Sequence, residues 1–171
     1  MTTPITTLRD FYTQAEPYVR LFDAFAERHQ LVPKAQADHI CYKCDSSATF
    51  ETIRALFERE SGYIYQSLIS KRRIAVIRLP SPIETVLGPI HFLELSDQKP
   101  DNSQDNRFDH IEVYPLTLSY ETMVQELALT EKVVQVDRPH HSTHDIDIQD
   151  GFLFRCTREP LIEKIKREEM N

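Results

Sequence analysis

The stretch ADHICYKC, Ala37–Cys44, is echoed further along by RFDHIEVYP, Arg107–Pro115. Each carries Asp-His-Ile at the head of a strand-like run, and the elements that follow repeat as well. After the first comes a helical pattern, ATFETIRALFERES, with Phe50, Ile53, Leu56 and Phe57 on one face, Ser47 as its cap and Gly62 as its stop. Then come the β-rich segments YIYQSLI and RIAVIRL, joined by a short SKR hairpin, the loop PSPIETVLGP, and a fourth strand, IHFLELS. The polar DQKPDNSQDN, Asp97–Asn106, has no periodicity and reads as a linker. Beyond it lie the strand RFDHIEVYP, a helix SYETMVQELAL capped by Ser119, strands KVVQVD, HDIDI and FLFRC, and a last helix opened by Pro160. Strand, helix and three strands, written twice, predict an internal duplication of a βαβββ unit.

The predicted class is α+β, in a single domain spanning residues 1–171. A helical extension over 1–34 precedes the first module, 37–96; the second module covers 107–157, and a C-terminal helix covers 160–169. In the extension, Leu8, Phe11, Ala15, Tyr18, Val19, Phe22, Phe25 and Ala26 recur at helical spacing, and Pro17 is expected to divide it into two helices.

Composition narrows the function. A formal charge of −7 argues against nucleic acid, whose binders take their affinity from basic contacts to phosphate. No apolar run is long enough to cross a bilayer, and the N-terminal MTTPITTLRDFYTQ lacks the build of a secretory signal. Three cysteines cannot pair without a leftover thiol, which suits a reduced, cytoplasmic protein. The oligomeric state is left open.

The segments ADHICYKC, RIAVIRL, HFLEL, DHIEVYP and the tail LIEKI resemble the YecM family, in order from residue 17 onward. Paired βαβββ modules with histidine on the first strand also resemble the vicinal oxygen chelate superfamily, which includes glyoxalase I, extradiol dioxygenases, epimerases and antibiotic-resistance binding proteins. The resemblance implies a curved, partly closed sheet around a metal-binding cavity. It supplies no reaction.

Strand alternation puts His39, Cys41 and Lys43 on one face of the first strand and Ile40, Tyr42 and Cys44 on the other. On the strand of the second module, His110, Glu112 and Tyr114 share a face. A lone strand histidine is ordinarily a core or surface residue, but matching positions in two modules aim His39 and His110 at one centre. The superfamily adds a carboxylate from a fourth strand, and Glu94, among apolar neighbours, fills that place. Aligning FLEL with FLFR puts Phe154 opposite Glu94 in the second module, so a fourth symmetric ligand is missing.

His39, His110 and Glu94 then form a set suited to a divalent ion: Zn(II), Fe(II), Mn(II) or Ni(II). Glu112 is the candidate catalytic proton carrier. Of the basic residues Lys43, Arg72, Arg78 and Arg155 on or beside strands, the first three are assigned to an acidic substrate. Cys41 and Cys44 fall on opposite faces and form no redox or metal pair. HHSTH, His140–His144, is read as a loop at the mouth of the cavity.

The function expected is a metal-dependent enzyme of the vicinal oxygen chelate type acting on a small oxygen-bearing molecule, as isomerase, lyase or oxygenase. The alternative is a non-catalytic protein that sequesters a small ligand in the same cavity.

Overall fold

A computed structural model describes residues 3–139 and 141–170. Eight strands form one mixed, open sheet: β1 (Ala35–Lys43), β2 (Ile64–Ile69), β3 (Arg72–Ile83), β4 (Ile90–Ser96), β5 (Arg107–Pro115), β6 (Val134–Asp137), β7 (Ser142–Gln149) and β8 (Phe152–Cys156). Their spatial order is β2-β3-β4-β1-β5-β8-β7-β6. Read outward from the β1–β5 seam, the two halves match. β1 pairs parallel with β4 and β5 with β8, and every other neighbour is antiparallel. The duplication read from the repeated tripeptide is therefore a pseudo-twofold in space, with the antiparallel β1–β5 pair on its axis.

Four helices complete the chain: α1 (Leu8–Arg28), α2 (Ser47–Glu58), α3 (Tyr120–Ala128) and α4 (Leu161–Glu169). The expectation of a break at Pro17 is overturned, because α1 runs through it. Pro17 is exposed, so the carbonyl it leaves without a donor faces water. Phe11 and Ala15 before it and Phe22, Phe25 and Ala26 after it are all buried on one face. Phe11 and Tyr18 pack on Phe108 of β5, and Phe22 and Phe25 on Phe154 of β8. Burial at about 1.5–3 kcal/mol per large side chain outweighs an interior proline's cost of about 3 kcal/mol. The helix also starts firmly: Thr7 Oγ1 accepts from Asp10 N and Asp10 Oδ2 accepts from Thr7 N, a capping box.

Several local boundaries differ from those predicted. The cap of α2 is Ser46, whose hydroxyl accepts from Thr49 N at 3.1 Å, whereas the Ser47 hydroxyl donates to Asp97. The helix ends at Glu58, before Gly62 is reached. Ser46→Ala should cost about 1 kcal/mol in urea denaturation and Ser46→Asp almost nothing; equal losses in both would remove the capping role. β3 continues into the predicted loop as far as Ile83. Pro80 and Pro82 are accommodated because β2 stops pairing at Ile77, which leaves that side of β3 an edge.

The linker is pinned. Gln104 is buried, and its amide nitrogen donates to the carbonyls of Cys44, Ser96 and Asp97. Within the HHSTH segment Ser142–His144 begin β7 and are not a loop, and His140 lies outside the described residues. Among the described residues no helix is long and apolar enough to cross a membrane.

One face of the sheet carries the main core with α1, α2 and α3. Ile40 and Tyr42 lie in that core, and Tyr42 meets Phe108 edge-on. On the other face Cys41, Ile74 and Val76 are buried apart from that core, as is Ile165 of α4. α4 crosses this second face. Its Leu161 N donates to Asp38 of β1 at 3.0 Å, and its Glu168 accepts from Tyr65 of β2 at 3.3 Å.

Candidate metal centre

His39 and His110 stand on the two central strands, on the face opposite the main core. Both are buried, at 0% and 1% exposure, and their ring centroids are 5.6 Å apart. A β-bulge sets the aim of each. Along the β1–β5 pair Ala37 faces Val113 and His39 faces Glu112, so Asp38 is an extra residue on β1. Further on, Cys41 faces His110 and Tyr42 faces Phe108, so Asp109 is an extra residue on β5. Simple alternation would send each aspartate to the face opposite its histidine. The bulge re-aims it, and both aspartates reach the ring beside them. Asp38 Oδ2 lies 2.7 Å from His39 Nδ1 and Asp109 Oδ2 lies 2.8 Å from His110 Nδ1.

Each carboxylate accepts the Nδ1 proton, which turns Nε2 toward the centre. The Asp in Asp-His-Ile is thus an orienting group, a role that the repeated tripeptide itself signals.

Glu94 of β4 completes the set. Its carboxylate, His39 and His110 each offer one donor atom, all within 4.8 Å of one another. Glu94 Oε2 lies 3.5 Å from His39 Nε2. Glu112 Oε2 lies 3.4 Å from the same nitrogen and 3.8 Å from His110 Nε2. His39 Nε2 is itself buried with no hydrogen-bond partner. Such an orphaned nitrogen among carboxylates fits a cation, and two imidazoles with a carboxylate fit a divalent one.

The electrostatics are those of a crowded, buried cluster. Burial works against a charged His39, but Glu112, Asp38 and Glu94 outweigh it and raise its pKa to about 9. Burial also opposes ionised Glu94, yet His39, His110 and Arg155 hold its pKa down to about 2. His110 moves the other way: burial and Arg155 together lower its pKa despite Asp109. The Cys41 thiol, buried and near Glu94 and Asp109, is held well above the ordinary thiol range. Cys44 lies in the core on the opposite side of the sheet.

The parallel pairs correct the second-module alignment. His39 faces Phe92 on β4, and His110 faces Leu153 on β8. Glu94, opposite Cys41, therefore corresponds to Arg155, opposite Glu112, and not to Phe154. Phe154 is a core residue. Arg155 Nη1 is 3.2 Å from His110 Nε2, while its Nε and Nη2 donate to Asp145 at 2.9 and 3.0 Å. Strand order alone could not reveal this, because the offset between parallel strands is set by backbone pairing.

The cations assigned to a substrate scatter. Lys43 Nζ sits 3.0 Å from Asp109 Oδ1 at the margin of the centre. Arg78 is exposed, with its guanidinium over the Phe92 ring. Arg72 donates to Gln104 in the linker and lines a separate cleft of about 440 Å³ with Lys71, Arg73 and Lys99. That cleft does not include the two histidines. Lys164 of α4, unremarked in the sequence, reaches to 3.9 Å from Glu112 Oε1.

Comparison with known proteins agrees with this architecture. The model of the family described as YecM protein matches residues 7–151. The structural-genomics protein EC4020 is 22% identical and superposes with a TM-score of 0.72, over 94% of this chain and 92% of that one. Hydroxyglutarate synthase from Oryza sativa, solved in complex with 2-oxoadipate, is 10% identical with a TM-score of 0.54, over 100% and 90%. Methylmalonyl-CoA epimerase from Streptomyces coelicolor, in complex with 2-nitronate-propionyl-CoA, is 16% identical with a TM-score of 0.49, over 75% and 97%. At these identities the likeness is one of fold. No curated protein matches the chain.

Proposed function

The chain belongs to the YecM family, and from that premise we propose that His39, His110 and Glu94 hold a divalent metal ion and that the protein is a metal-dependent enzyme acting on a small oxygen-bearing molecule. The observation that carries this reading is the convergence of three donor atoms from three strands, one of them a buried His39 Nε2 that makes no hydrogen bond. The ion would supply Lewis-acid polarisation of a substrate oxygen.

The side chains do the rest. Asp38 and Asp109 fix the tautomer and direction of the two imidazoles. Glu112, beside both Nε2 atoms and near Lys164, is placed to take a proton from a substrate bound at the centre. α4 lies against that face, with Ile165 buried and Leu161 N bonded to Asp38.

Elemental analysis of protein purified without chelator or histidine tag should find about one equivalent of Zn, Fe, Mn or Ni. Glu112→Gln should keep that ion, since the glutamate serves as proton carrier and not as ligand. Metal-free wild type, or loss of the ion in Glu112→Gln, would overturn these assignments in turn. Stoichiometric uptake of a small molecule with no turnover would select the sequestering role.

Proton competition gives a second test. His39, with its pKa raised to about 9, carries a proton on Nε2 at neutral pH, and an ion must displace it. His110 and Glu94, both lowered, are already deprotonated there. Metal affinity should therefore rise about tenfold per pH unit between neutral pH and pH 9 and level off above it. Calorimetry at about pH 7.5 in buffers of different ionisation enthalpy should read about one proton released per ion. Release of none would place the ion elsewhere.

A further inference from the structure

We infer that the centre takes up its metal ion together with a small oxyanion, held between the ion and Arg155. The inference rests on the metal reading above and deepens it by naming the ligand class. Its basis is the broken symmetry of the sheet. Glu94 and Arg155 occupy equivalent places in the two modules, so a guanidinium stands where the symmetric centre would have a second carboxylate.

Asp145 fixes how that guanidinium is presented. Its two oxygens take the Nε and Nη2 donors, and Asp145 is itself held by the Thr143 hydroxyl at 3.1 Å. Nη1 is left as the arm turned to the centre, 3.2 Å from His110 Nε2. His110 Nδ1 is engaged by Asp109, so in the metal-free protein the Nε2 lone pair is the acceptor for Nη1.

An ion bound by His110 would claim that lone pair. Arg155 cannot shed its proton, and its side chain is only 12% exposed. Its Nη1 would then lose its acceptor and face a second cation, while Nε and Nη2 stay on Asp145, and both changes are unfavourable. One oxygen-bearing anion resolves both, because its oxygens can ligate the ion and accept from Nη1 at once. A carboxylate or a phosphate has that chemistry and sets negative charge between the two cations, beyond what Asp145 and Glu94 supply, which a neutral ligand or a bare water does not. Ion and oxyanion should therefore bind cooperatively, and by linkage each should raise the affinity of the other by the same factor.

The test is Co(II) binding followed by its visible absorption, with oxalate or inorganic phosphate as the oxyanion and free Co(II) corrected for complexation in solution. In wild type at least one of the two anions should tighten Co(II) by about tenfold or more. In Arg155→Gln, affinity without anion should rise and the anion effect should fall to within about threefold. Asp145→Asn combined with Arg155→Gln repeats the measurement without leaving a buried carboxylate unpaired. Equal enhancement in wild type and in both variants, or none in wild type with either anion, overturns the role of Arg155. His39→Ala separates the two levels: undiminished Co(II) binding there would remove the metal centre itself.

Discussion

Replacing His39 by alanine is expected to lower metal affinity by more than the 10–100-fold that loss of an outer-shell partner costs, because a ligand itself is removed. The second module cannot compensate, since Arg155 stands where a further ligand would be. The change also leaves the carboxylates of Asp38 and of buried Glu112 beside a void. His91→Ala is the matched control. His91 shares β4 with Glu94, but it is exposed and alternation places it on the other face. It should bind the ion as wild type does. Dialysis equilibrium with Zn(II) decides the point: equal losses in the two variants, or a stoichiometric ion kept by His39→Ala, would sink the assignment.

Asp109→Ala is expected to be the most destabilising single change at the centre. Asp109 is 1% exposed and serves three cationic or donor groups: His110 Nδ1 at 2.8 Å, Lys43 Nζ at 3.0 Å and Arg107 Nη2 at 2.8 Å. Burial works against its ionised form, but His110 and Lys43 hold its pKa far below the usual carboxylate range. Removing the carboxylate strands a half-buried lysine and frees the His110 ring, at about 3–5 kcal/mol by the usual cost of breaking a buried ion pair. Asp38→Ala, which gives up contacts to His39 Nδ1 and to Leu161 N but no lysine or arginine, should cost about 1–3 kcal/mol. Urea denaturation of the two variants side by side tests the order, and a larger loss at Asp38 would contradict it.

Much of the fold was legible in the sequence because it rests on short-range physics. Helical spacing in α2 and α3, alternation in β1 and β5, and the repeated Asp-His-Ile are all properties of neighbouring residues. That His39 and His110 share a face followed from alternation plus the equivalence of two modules, whereas Glu94 came from the family resemblance. What stayed hidden depends on partners distant in the chain. Pro17 reads as a helix breaker until the buried phenylalanines on either side are weighed against it. Alternation alone would put Asp38 and Asp109 on the core face with Ile40 and Ile111, and only the bulges re-aim them, since a bulge is a property of two paired strands. Arg155 was shifted one place because FLEL and FLFR match as text, whereas β8 pairs with β5 one residue further on. The pattern of α4 marks it as amphipathic, but nothing in that pattern says that it crosses the histidine face and not the core face.

The pseudo-twofold along β1 and β5 bears on how such a centre can change over time. His39 and Glu94 come from one half of the chain, and His110 and Arg155 from the other, so neither half owns the site. Two copies of a single module could assemble the same sheet, but assembly would then depend on protein concentration, and any substitution would appear on both sides at once. Joining the halves through Asp97–Asn106 removes the first dependence, because the tether keeps the second half at a high effective concentration. It removes the second constraint too. Once fused, one half can keep a carboxylate at a position where the other carries a guanidinium, and the axis that built the centre no longer has to govern its chemistry.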